Sequence, residues 1–66
     1  MTISELRNQV TLQGKVVIQV YDAGAEYAVP VFETEEIEYA VIPEQYTGLE
    51  IKYMWADDKR GLVIEL

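Results

Sequence analysis

Val10-Thr11-Leu12-Gln13-Gly14-Lys15-Val16-Val17-Ile18-Gln19-Val20-Tyr21 is the stretch on which the fold turns. Val10, Leu12, Val16, Ile18 and Val20 fall on one side, with Gly14 among them. Thr11, Gln13, Lys15, Val17, Gln19 and Tyr21 fall on the other. A period of two is the mark of a half-buried strand. Gly14 interrupts the run and predicts a bend or bulge, as in strands that curve around a small barrel.

Outward from this strand the pattern recurs. Asp22-Ala23-Gly24-Ala25 predicts a turn, with Gly24 expected to supply a positive φ. The return strand, Glu26 to Phe32, carries Pro30, which cannot donate to a ladder and so marks a sheet edge or a break. Beyond the charged turn Glu33-Thr34-Glu35-Glu36, a third strand is predicted over Ile37 to Ile42. Pro43 and Gly48 bracket a single helical turn. A fourth strand runs from Leu49 to Trp55, with Leu49, Ile51, Tyr53 and Trp55 on one face. A loop from Ala56 to Gly61 leads to a fifth strand, Leu62 to Leu66. Upstream, Thr2 and Glu5 have the spacing of a capping box. They predict a short helix that sets Ile3 and Leu6 against the core, with Arg7 either solvated or paired with a nearby acid. The expectation is a mainly β protein: a five-stranded, strongly curled antiparallel sheet or small barrel with a short N-terminal helical turn.

Sixty-six residues form a single small β domain, 1–66. A chain of this length buries only about 60% of its unfolded surface, so its core needs support. Cys and His are absent. Disulfides are therefore impossible and the usual zinc ligands are missing, which leaves a regular sheet or self-association. Apolar residues make up 50%, in the range of folded proteins. No apolar run approaches a membrane span, and Met1 to Glu5 lacks the basic start and apolar middle of a secretory signal, so a cytoplasmic location is expected.

Twelve Asp and Glu against five Lys and Arg give a net charge of −7. Between Lys15 and Lys52 there is no basic residue, while Asp22, Glu26, Glu33, Glu35, Glu36, Glu38, Glu44 and Glu50 all lie there. Such a chain repels nucleic acid and anionic membranes, whose binding requires cations on the protein. It attracts basic protein surfaces.

Catalytic patterns are missing. Without His there is no ordinary triad, and Ser4, the single Ser, falls in the helix cap. Paired carboxylates on turns, in a domain too small for a deep cleft, do not make a glycosidase. Asp22, Gly24 and Glu26 do not fill a calcium loop, and the four Gly occur singly rather than as a phosphate cradle. No enzymatic activity, cofactor or metal is expected.

Five Tyr and one Trp are many for so short a chain. Trp55, Tyr53 and Tyr39 are expected in or half in the core. Tyr21, Tyr27 and Tyr46 lie beside turns or acids and, with Glu26, Glu33, Glu35, Glu36, Glu38 and Glu44, form the candidate protein-binding set. Tyr rimmed by Glu is a receptor for Arg and Lys. The expected function is that of a non-enzymatic adaptor or inhibitor on a basic protein, with Glu33 to Glu38 either imitating a run of phosphates or simply a solvated loop. The alternative is homodimerisation through a strand edge, at Val29-Pro30-Val31 or Leu62 to Leu66, or through an apolar sheet face.

Glu5-Leu6-Arg7-Asn8, Leu12-Gln13-Gly14-Lys15-Val16, Tyr53-Met54-Trp55-Ala56-Asp57-Asp58 and Leu62-Val63-Ile64-Glu65 resemble parts of small uncharacterised acidic proteins carried by phages and mobile elements of Gram-positive bacteria. The resemblance implies an accessory role that adapts or interferes with a host complex. It carries over no catalytic residue.

Overall fold

Thr2 Oγ1 accepts the Glu5 backbone N–H at 3.1 Å, and Glu5 Oε1 accepts the Thr2 N–H at 3.1 Å. This capping box starts helix α1, Ile3–Gln9, with Ile3 and Leu6 buried as the sequence predicts. The computed structural model describes residues 1–22 and 24–66. After α1 come strands β1 (Val16–Asp22) and β2 (Tyr27–Thr34), a 3₁₀ turn (Ile37–Tyr39), the short helix α2 (Glu44–Thr47), and strands β3 (Tyr53–Asp57) and β4 (Gly61–Glu65).

The strands form one four-stranded sheet in the order β2-β1-β4-β3. β1 pairs antiparallel with β2 and parallel with β4, and β3 pairs antiparallel with β4. The sheet is mixed and open, which overturns the expected five-stranded antiparallel barrel. A barrel has no free edge, whereas here β2 and β3 are both edges. Pro30 does lie on an edge strand, and the β1–β2 register shifts beside it, between Ile18 and Gln19.

Three of the predicted strands fail or shrink for identifiable reasons. The long strand from Val10 begins only at Val16. Val10 caps α1 by donating to the Leu6 carbonyl, and Gly14 takes φ 89° with its N–H given to Glu36 Oε1 at 2.8 Å. The predicted strand Ile37 to Ile42 is a 3₁₀ turn followed by irregular chain. Its Ile37 and Ala40 carbonyls, which a ladder would have used, each accept from the Arg7 guanidinium at 3.2 Å. Arg7 is thus neither free in solvent nor paired with an acid. The strand Leu49 to Trp55 shortens to start at Tyr53, because Ile51 donates to the Met1 carbonyl instead of joining the sheet. Ile51 packs on the core while Tyr53 and Trp55 take the other side, so the predicted common face does not exist. The terminal run, predicted as an edge, is central, because β4 lies between β1 and β3.

The core contains Ile3, Val16, Ile18, Ile37, Ile42, Ile64 and Leu66. It lies on the sheet face that α1 covers. At the β1–β2 turn, Gly24 is not in the positive-φ region. Glu26 takes that conformation instead, with φ 60°. Ala23 of the predicted turn lies outside the described residues.

Candidate protein-binding surface

Alternation along the strands and the observed register place Val17, Gln19 and Tyr21 of β1 on the sheet face away from the core. Val63 and Glu65 of β4, with Tyr53 and Trp55 of β3, share that face. Val17 and Val63 are buried there although neither belongs to the core cluster. Polar side chains run across the same face. Arg60 Nη2 approaches Asp57 Oδ2 at 3.5 Å, Arg60 Nη1 donates to Gln19 Oε1 at 3.3 Å, and Gln19 Nε2 donates to Glu65 Oε1 at 2.8 Å.

The predicted binding residues do not form one surface. Val16 pairs with Thr34 at one end of the β1–β2 hairpin and Asp22 with Tyr27 at the other. Six residues of strand separate these pairs, about 20 Å at ~3.4 Å per residue. Glu26, Tyr21 and Tyr27 are gathered at the turn end. Glu33, Glu35, Glu36 and Glu38 lie at the far end, and Glu44 and Tyr46 sit on α2 with Tyr46 packed against the core.

At the far end the acids are partly committed to the fold. Glu36 Oε1 accepts from Gly14 N–H and, at 3.4 Å, from Glu38 N–H, while Glu38 Oε2 accepts from Gln13 Nε2 at 3.3 Å. Lys15 adjoins the Val16–Thr34 pair and donates to the Lys59 carbonyl at 3.1 Å. Lys15 thus stands at this end of the sheet, and among the described residues it forms no ion pair with these acids.

The turn end differs. Tyr21 is 51% exposed and Tyr27 63%, and Asp22 and Glu26 stand between them in the chain. Asp22 Oδ1 accepts the Gly24 N–H at 2.9 Å and so shapes the turn. Among the described residues, the ion pairs are Met1 amino group to Glu50 and Arg60 to Asp57, and neither touches this hairpin end.

Sequence reasoning missed Tyr53 and Trp55 as surface residues. They are 64% and 38% exposed, and Tyr39, also expected inside, is 80% exposed. The signal that could have found them is the strand order: β3 at an edge leaves its outward face uncovered, and periodicity alone does not reveal strand order.

A shallow depression lined by Arg7, Val10, Thr11, Leu12 and Glu38 holds about 120 Å³, well below the several hundred of a typical small-molecule site. Among the described residues there is no group of three or more carboxylates placed to hold a metal ion. No helix among them is long and apolar enough to cross a membrane. No family model matches the chain, and neither curated proteins nor solved structures show a match.

Proposed function

We propose that this chain is a non-enzymatic protein-binding module that engages a Lys- or Arg-rich protein segment through the turn end of its β1–β2 hairpin. The observation that carries the reading is that exposed Tyr27 stands opposite Asp22 across the hairpin, with Glu26 beside it and exposed Tyr21 on the other face, and that among the described residues no ion pair engages Asp22 or Glu26. Lys52, just before β3, is three strands over from β2 and two from β1. An Arg or Lys on the partner gains a ring face and a carboxylate together, and the net charge of −7 speeds the encounter. The cytoplasm is the compartment in which we place this activity, in the accessory role that the phage-borne resemblance implies.

Imitation of nucleic-acid charge has less support. Glu36 and Glu38 are hydrogen-bonded within the fold, and Lys15 and Lys59 are close to that end. A run of free, evenly spaced anions is what such mimicry needs.

The test is titration of a fluorescent Arg-rich peptide at about 50 mM and 0.5 M salt, a range over which exposed charge pairs become screened. Tyr27→Ala and the double change Asp22→Asn with Glu26→Gln should each weaken binding at low salt at least fivefold. Glu33→Gln with Glu35→Gln, which removes the same charge from the far end, should change it less than twofold. Equal losses from both double variants would mean nonspecific charge attraction and would sink the hairpin assignment.

A further inference from the structure

We propose that two copies of this chain join edge to edge through β3, in one defined antiparallel register, to make a continuous eight-stranded sheet. This goes beyond the basic-partner reading and does not rest on it, since the hairpin residues lie toward the β2 edge.

Leu62 N–H donates to the Lys15 carbonyl and Leu66 N–H to the Gln19 carbonyl, both at 2.9 Å. The even-numbered residues of β4 therefore turn their backbone groups toward β1. Gly61, Val63 and Glu65 turn theirs toward β3, where they pair with Asp57, Trp55 and Tyr53. It follows that Met54 and Ala56 direct their N–H and C=O groups outward, and among the described residues no hydrogen bond outside the strand ladders uses them. Unpaired groups on a strand edge are a template for another strand.

The two edges of the sheet are not alike. β2 is guarded by Pro30, by the register shift beside it and by Glu33. β3 reads Tyr-Met-Trp-Ala before its final Asp57 and has none of these guards. Met54 shares the core face with its partner Ile64, yet it is 47% exposed, so the helical layer stops short of β3 and leaves room for a neighbour.

A two-fold axis perpendicular to the sheet must pass through a like pair of residues, because hydrogen-bonded and non-bonded pairs alternate along an antiparallel ladder. Placing it at Trp55 uses every outward group of β3. Met54 N–H donates to the carbonyl of the partner's Ala56, Ala56 N–H donates to the carbonyl of the partner's Met54, and the symmetry doubles both. Trp55 then meets the partner's Trp55 at a non-bonded position, where side chains approach most closely. Tyr53 faces the partner's Asp57. Lys52 faces the partner's Asp58, so opposite charges close both ends of the pairing. The acids that give the chain its negative charge lie mostly away from this edge, and none falls between Lys52 and Ala56.

The test is absolute molar mass by light scattering from about 10 μM to 1 mM, with folding checked by circular dichroism. A mass rising toward twice 7.6 kDa is expected. Met54→Pro removes an outward N–H that the β4 ladder does not use, and should raise the dimer dissociation constant at least tenfold. Should that variant unfold, charge exchange gives the same information: Lys52→Asp and Asp58→Lys each weaken the dimer, and the two together restore it. Trp55→Cys places the only thiols of the pair opposite one another, so oxidation should yield a disulfide-linked dimer. A monomer across the whole range overturns the proposal, as does a dimer indifferent to the folded Met54→Pro variant or to charge exchange.

Discussion

Gln19 Nε2 donates to Glu65 Oε1 at 2.8 Å across the parallel β1–β4 pair, and Gln19 Oε1 accepts from Arg60 Nη1 at 3.3 Å. Gln19 is a buried polar side chain on the face without helices, and both ends of its amide are satisfied. Replacing it with Leu keeps the volume but leaves Glu65 and Arg60 without that partner. The expected loss is about 1–2 kcal/mol, read as a lower urea midpoint at unchanged slope.

Gly61 has φ 79°, and a Cβ built there would overlap the Lys15 carbonyl oxygen and come within 2.9 Å of its carbonyl carbon. The contact falls where Leu62 N–H bonds that same carbonyl, at the start of the parallel pair. Backbone cannot retreat there without breaking the β1–β4 ladder. Gly61→Ala should therefore cost about 3 kcal/mol or more, comparable to the whole stability of a domain this small. Circular dichroism at 25 °C should show a largely unfolded chain, and a folded variant with native melting would refute the close-approach account.

Glu26 is in the left-handed region at φ 60° without the freedom of glycine. Glu26→Gly should relieve that strain and raise stability by about 0.5–1 kcal/mol, net of the extra chain entropy released on unfolding. Thermal melts should show the gain. The same substitution should weaken binding of the basic peptide, separating the cost of the conformation from the use of the charge.

Asp57 Oδ1 accepts the Arg60 N–H at 2.9 Å and the Lys59 N–H at 2.8 Å. These backbone bonds, Arg60 first, and the nearby guanidinium hold its carboxyl below the ordinary value of 3.8. Because the folded pKa is the lower one, the stabilisation is present above about pH 4. It fades as pH falls through the folded value. Asp57→Asn keeps an acceptor in the turn and removes the charge. Its stability should fall less steeply than that of the parent between pH 4 and pH 2, measured by urea midpoints.

Local features of the fold were legible because their causes are local. The capping box needs only Thr2 and Glu5, three residues apart, and both of its bonds are present. The separation of Val16 and Ile18 from Val17 and Gln19 follows from strand geometry alone. Pro30 at an edge follows from its missing donor. The candidate site was legible only in part. Tyr21, Glu26 and Tyr27 lie at the same end of the sheet because one tight hairpin joins them, though the register turns Tyr21 and Tyr27 to opposite faces. The Glu33 to Glu38 segment and Glu44 lie elsewhere, because their positions depend on how distant segments pack.

By itself, the amino-acid order determined which residues are apolar, which way each strand presents them, where the first helix starts, and that the molecule carries a net charge of −7. Tertiary structure decided the rest. It placed the C-terminal strand beside β1 in parallel, leaving β3 at an edge with Trp55 exposed. It also sent Arg7 to the Ile37 and Ala40 carbonyls, so that an alternating run became a turn. The physical reason is that periodicity states which face a segment buries, whereas its partner is chosen by hydrogen-bond satisfaction among residues far apart in the chain.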